Sequence, residues 1–226
     1  FIVASGRLQR LGSVTSWMVP TMVAGYLVLT AVVLLSHYAE IPHALAQIVM
    51  DAFSGSAVAG GAVGSVIVTG IQRAAFSNEA GIGTEAMAHG AARTKEPVRE
   101  GLVAMLGPVI DTLLVCTCTA LVILISGVWQ SGDHDGASLT ATAFGELFPV
   151  GGATILAVLV SFLSLSTVFT FWYYGSKCLG FLIGARYQHH YIWFYLLLII
   201  AGSVASLNLV VNLVDSMYAL MAIPTM

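Results

Sequence analysis

Charge is what this sequence has least of. Only 8% of its 226 residues are Asp, Glu, Lys or Arg, against roughly a quarter in an ordinary soluble domain. With 58% hydrophobic residues, so few charges cannot clothe a globule of this size in polar surface. A water-soluble fold is excluded, and lipid must be the solvent for most of the exterior. The net charge is −3 and there is no basic block, so nucleic-acid binding has no electrostatic footing. Cysteine is scarce as well. Cys116 and Cys118 sit two apart in an apolar run and Cys178 lies far away beside Lys177, which matches neither a zinc nor a disulfide framework. No HExxH pattern and no Ser-His or Asp-Asp pair at motif spacing occurs, so an intramembrane enzyme has no visible machinery. Neither an initiator methionine nor a signal peptide opens the chain, and it stops inside an apolar stretch; the expectation is a piece of a longer membrane protein.

What is present is a series of apolar runs. A helix crossing the hydrocarbon core needs about 20 apolar residues. Five crossings and the start of a sixth are expected: Val14 to His37, Ala57 to Ala92, Leu102 to Val128, Val150 to Tyr174, Tyr191 to Leu207, and a last one beginning near Val211. Ile41 to Phe53 is too short to cross, and its Leu45, Ile48 and Val49 predict an interfacial helix. Arg7 and Arg10, then Arg93, Lys95 and Arg99, then Lys177 and Arg186 all fall on one side if the spans alternate, whereas the opposite loops carry Glu40, Asp51, Asp133, Asp135 and Glu146. The positive-inside rule therefore places the N-terminus in the cytoplasm. Trp129, Tyr191 and Trp193 stand at span ends, where interfacial aromatics anchor.

The second run is too long for one straight crossing. At 1.5 Å per residue, Ala57 to Ala92 would reach about 54 Å, far beyond a core of about 30 Å. The interruption is expected at Phe76-Ser77-Asn78-Glu79-Ala80-Gly81-Ile82-Gly83-Thr84, where polar residues and glycines break the apolar pattern. Counting back from Arg93 puts Gly81 about 18 Å from the cytoplasmic end, near mid-bilayer. Unwound backbone at that depth is tolerated only inside protein or lining a cavity. Its freed N–H and C=O groups, with the half-helix dipoles, suit a zwitterion and cations; the alternative is a kink relieved by neighbouring helices.

Several ionisable and hydroxyl residues lie within the spans, where they are expensive and usually functional. Glu79 either balances a substrate amine or pairs with Arg73 six residues earlier. Glu85 and His89 are one helical turn apart and within reach of each other, though two ligands are too few for a zinc site. Asp111 must face a partner; it either binds an ion or ties helices, with Thr112, Cys116 and Thr119 following at α-helical spacing. Ser161, Ser164, Ser166, Thr167 and Thr170 offer either hard oxygen ligands for an alkali cation or ordinary helix-packing hydroxyls. Asn208, Asn212 and Asp215 near the last helix are read as capping or gating.

Phe76 through Gly83, Ala88-His89, Pro97-Val98-Arg99-Glu100-Gly101-Leu102, Ile110-Asp111-Thr112, Ser166-Thr167, Tyr173-Tyr174-Gly175, Asp215 and Met221-Ala222-Ile223-Pro224 occur in that order. Together they resemble the alanine or glycine:cation symporter family (sodium:alanine symporters), from Pro20 onward. The resemblance implies an all-α membrane protein of the leucine-transporter-type fold, with two inverted repeats of five helices. Within one transmembrane domain over residues 1–226, the segment 14–37 would be the last helix of repeat one and 57–226 most of repeat two, containing one broken helix. It implies sodium-coupled uptake of a small neutral amino acid, alanine or glycine, by alternating access in the cell (inner) membrane, with no cofactor and sodium as the coupling ion. Residues Phe76, Ser77, Asn78, Glu79, Ala80 and Gly81, with Thr167 and Phe171, would line the substrate site, and Ser166 and Thr167 would bind sodium. Arg73, Glu85, His89, Asp111, Thr112 and Asp215 would form an intramembrane polar network. Three features depart from the family pattern: Thr84-Glu85-Ala86-Met87 replaces a run of small residues and proline, Phe171 stands where tryptophan is common, and Thr225 follows Pro224 where asparagine is usual. The first broken helix, which would supply the other half of the site, is absent from these residues. A proton-coupled transporter using Glu79, Glu85 or Asp111, and a non-transporting accessory subunit, are the alternatives.

Overall fold

The structure is a computed structural model that describes residues 8–52, 70–74, 77–79, 83–132 and 136–222. Half of the expected run Ala57 to Ala92 therefore falls outside the described residues. Among those described, three helical stretches are long and apolar enough to cross a membrane: Trp17–Ser36, Pro97–Ser126 and Gly152–Ile183. Helix α1 runs Leu8–Ser36, with Pro20 inside it, and α2 runs Ile41–Ala52. A proline within a membrane helix is tolerated because neighbours re-satisfy the freed carbonyl. A short helix does run where the sequence predicts one, and Leu45, Ile48 and Val49 are exposed on it.

The third span is composite. Helix α3 (Thr84–His89) precedes α4 (Pro97–Ala104), which begins with proline at its first turn, where the missing N–H is no loss. Short α5 (Leu106–Pro108) leads into a π-helix, Val109–Cys116, and then α6 (Thr117–Ser126), which stops at Gly127 with φ 70°. The π-helix corrects the expected register, since i→i+5 winding moves Asp111 and Thr112 off the face predicted for them from α-helical spacing. Thr117 shows the wider turn directly: its hydroxyl donates to the carbonyl of Thr112, five residues back, at 3.3 Å.

A second correction concerns the loop after Trp129. It contains helix α7, Gly136–Leu147, which packs against α6. Its sequence, GASLTATAFGEL, has no long apolar run, so only docking reveals it. Helix α8 spans Gly152–Ile183, longer than the expected Val150 to Tyr174. Lys177 thus lies within the helix, its ammonium 5.6 Å from the centre of the Tyr173 ring. Helix α9 (Tyr191–Val204) has 14 residues, short of the predicted crossing, and α10 (Leu207–Ala222) starts four residues earlier than expected. The cap of α10 is Ser206, whose hydroxyl accepts the Leu209 N–H at 3.4 Å.

The chain divides into two compact units. The described residues within Met18–Ser77 and Gly107–Ser164 form one, with a core of Tyr26, Leu29, Val33, Leu34, Ala44, Leu121, Val122, Ala143, Phe144 and Leu156. The α1 members recur every three or four residues, one stripe of a helix. The Tyr26 hydroxyl is hydrogen-bonded to Thr119, and its ring lies 6.1 Å from that of Phe144. Asn78–Leu106 and Leu165–Met226 belong to the other unit, where Thr84, Ser166, Tyr174, Ser176 and Ile192 are buried. Large apolar side chains point outward throughout; Leu35 is 72% exposed and Phe181 91%. In water this would be ruinous, whereas against lipid tails it is the ordinary exterior. Because the interior is defined by fit, Phe144→Ala should lower stability by about 3 kcal/mol, while Leu35→Ala should be nearly silent. Thermal denaturation in detergent measures both, and equal midpoints would contradict this core.

Candidate functional site

The break is visible in the backbone. Residues 77–78 are helical, Glu79 is not, and α3 begins only at Thr84. Glu79 has φ 56°, the one positive φ at a non-glycine among the described residues, and Gly83 has φ 90°. Two left-handed residues four positions apart cannot belong to one continuous right-handed helix. Asn78 and Glu79 are both partly buried. Phe76, Ala80 and Gly81, expected at the substrate site, lie outside the described residues.

Helix α3 is held by contacts at both of its ends. The Gly83 N–H donates to the Glu85 carboxylate at 2.9 Å, so Glu85 covers the start of its own helix. At the other end the His89 ring bonds Glu100 of α4 at 2.8 Å. The Glu85–His89 pairing read from their spacing thus gives way to one contact within the loop and one between helices. Thr84 is 2% exposed and its hydroxyl oxygen has no hydrogen-bond partner among the described residues.

Within the same unit, the Glu79 carboxylate lies within electrostatic reach of two phenols, Tyr174 of α8 and Tyr218 of α10. Tyr174 is 6% exposed. The Phe171 ring meets it edge-on at 5.8 Å, and the Tyr173 ring lies 6.0 Å away. Sequence reasoning quoted Tyr174 only as part of a motif and missed Tyr218 altogether. The available signal was a phenol in an otherwise apolar span, one turn after Asp215 on α10. Asp215 itself is partly buried.

The expected sodium pair is split by helical geometry. Ser166 is 7% exposed, whereas Thr167, rotated about 100° around α8, is exposed. Thr170 donates to the Ser166 carbonyl at 3.0 Å. Ser161 and Ser164 bond the carbonyls of Ala157 and Val160 at 2.7 and 2.9 Å, which is ordinary satisfaction within a helix.

In the other unit, the Ser77 hydroxyl donates to the Asp111 carboxylate and lies 3.6 Å from the Cys116 sulfur. Of the two readings of Asp111, this contact favours the helix tie: the residue just before the break is fastened to the π-helix of the third span. Arg73 lies on the helical residues 70–74 with an exposed side chain, and Thr112 is partly buried beside Asp111.

The sequence profile of the sodium:alanine symporter family matches residues 1–226. The chain is 39% identical to the sodium/alanine symporter AgcS of Methanococcus maripaludis over 99% of its own length and 50% of that protein. It is 35% identical to an uncharacterized transporter of Haemophilus influenzae over 100% of itself and 50% of that protein. It is 30% identical to a sodium/proton-dependent alanine carrier protein of a Bacillus species over 79% of itself and 43% of that protein. It therefore spans about half the length of these relatives. The unwound segment, the apolar helices and the full-length match lead to one assignment: this chain belongs to the sodium:alanine symporter family.

Proposed function

We propose that this chain supplies one broken helix and the sodium-binding span of a transporter that carries alanine or glycine inward with sodium, by alternating access in a five-plus-five inverted-repeat fold. The observation that carries this reading is the pair of left-handed residues, Glu79 and Gly83, interrupting an apolar segment. Peptide groups released there have no water to bind, so they are available to a solute's carboxylate and ammonium, and the two half-helix ends add partial charges of the right signs. Backbone and small residues from Phe76 to Gly81, with Thr167 and Phe171, form the substrate side; Ser166 and Thr167 serve sodium. Arg73, Glu85, His89, Asp111, Thr112 and Asp215 complete the polar network of the spans. A pocket built from backbone leaves little room for a large side chain, which favours the smallest amino acids. The protein resides in the inner membrane with its N-terminal side cytoplasmic, following the distribution of Arg and Lys.

Proteoliposomes made with the full-length protein should accumulate alanine only under an inward sodium gradient. Asn78→Ala should reduce that uptake by at least about tenfold, an effect equivalent to about 1.4 kcal/mol of lost stabilisation. Uptake that follows a pH gradient in sodium-free buffer would replace sodium by the proton, the alternative coupling in the name of the sodium/proton-dependent Bacillus carrier. A purified complex with a stable protein partner and no alanine uptake would favour an accessory subunit.

A further inference from the structure

The turn that joins α3 to α4 is rich in permanent charge, yet the tie across it uses none of the permanent cations. Arg93, Lys95, Glu96 and Arg99 are exposed, and among the described residues they form no ion pair. Instead His89, the last residue of α3 and four positions before Arg93, meets Glu100 of α4 at 2.8 Å, the two side chains being 38% and 24% exposed. The other charged groups close to α3 are engaged elsewhere. Glu85 accepts the Gly83 N–H, and Lys177 of α8, which lines a groove with Met87 of α3, holds its ammonium by the Tyr173 ring. Arginine in place of His89 would make a permanent tie. Histidine is the side chain that ordinarily changes charge between about pH 5 and pH 8. A hydrogen bond between ionised partners is about twice as strong as a neutral one, so this contact has a strong form and a weak one. The place matters as well: α3 is six residues long, buries only Thr84, and packs against α4. So short a helix depends heavily on what holds its ends.

We propose that His89 and Glu100 form a pH-sensitive clamp on the cytoplasmic side: the charged ring holds α3 to α4, and loss of its proton as cytoplasmic pH rises weakens the hold and frees α3 to move. Glu100 is then a positioning residue for the break and binds no solute. The clamp rests on the proposed reading of the break and on the proposed orientation, but its structural half is testable without transport. In a carrier that works by alternating access, an acid cytoplasm would restrain α3 and slow turnover.

The test follows hydrogen–deuterium exchange over residues 83–92 of the full-length protein at about pH 6 and pH 8, corrected for the pH dependence of intrinsic amide exchange. In the parent, protection should fall by about fivefold as pH rises. Glu100→Ala should be weakly protected at both values, and His89→Lys, which keeps a fixed positive charge beside Glu100, strongly protected at both. Parent protection that does not vary with pH overturns the proposal, as does a pH response that survives in Glu100→Ala. Should Glu100→Ala fail to fold, His89→Lys decides, since retention of the parent's pH response there overturns the clamp. Alanine uptake, with internal pH varied over the same range and external pH fixed, should rise about threefold in the parent and stay level in both variants. An uptake response that persists in both variants follows the imposed gradient and overturns the regulatory half. Absence of alanine uptake in the parent would defeat the transport reading and leave the exchange comparison to judge the clamp.

Discussion

Gly83→Val should lower the proposed sodium-driven uptake of the full-length protein by about 100-fold or more, while the protein still reaches the membrane. Gly83 has φ 90° and ψ −9° and caps the N-terminus of α3. A β-branched residue at that φ is a genuine outlier, and holding it there costs about 1–3 kcal/mol or more. The helix start at Thr84, the Gly83 N–H bond to Glu85 and the inward burial of Thr84 all depend on that one conformation. If transport requires the break, about 2.7 kcal/mol against it corresponds to about 100-fold in rate. Gly83→Asn, whose side chain tolerates the left-handed region, should retain much more activity than valine. The checks are uptake in proteoliposomes and elution as a single species in detergent. Normal uptake by Gly83→Val would show that the break contributes nothing to the site.

Gly175→Val should destabilise the packing of α9 on the C-terminal part of α8. A Cβ at Gly175 would collide with the hydroxyl and ring of Tyr191. Tyr191 stacks on Tyr195 with ring centres 5.9 Å apart, and Tyr195 donates to the Val168 carbonyl on α8 at 2.9 Å. The contact between α8 and α9 is therefore two aromatic layers laid over a glycine, the close approach that small residues permit in membranes. Overpacking costs about 1–3 kcal/mol, and valine inserts three carbons against the Tyr191 ring. The expected result is a lowered melting midpoint or loss of a monodisperse peak. Combining Gly175→Ala with Tyr191→Leu should recover more stability than the two single changes predict together, because they share one contact. Strict additivity would mean that the Tyr191 ring is not what fills the space over Gly175.

How much of the site could be read in advance differs from residue to residue. The interruption near Asn78 was legible because two facts of composition coincide there: the apolar run is too long for one crossing, and polar residues with glycines sit in its middle. The need for partners was legible too, since Glu79, Glu85, His89 and Asp111 cannot stand alone in lipid. Their identities were not. Nothing local ties Asp111 to Ser77 or His89 to Glu100. Helix α7 was missed because its burial rests on Ala143 and Phe144, too few residues to impose a period. The π-helix was missed because Val109–Cys116 reads equally well as α-helix; the two differ only in which carbonyl each N–H meets.

The sequence by itself determined that lipid surrounds this chain, where its apolar segments run, and that one of them must unwind near its middle. These follow from sums over many residues, such as hydrophobic length, charge scarcity and the freedom of glycine, and no single neighbour can reverse them. Only the tertiary structure decided which hydroxyl meets which carboxylate, that Ser166 turns inward while Thr167 does not, and that α8 and α9 close over Gly175. Those outcomes depend on the docking of helices far apart in the chain, where a shift of one residue in register exchanges every partner at once.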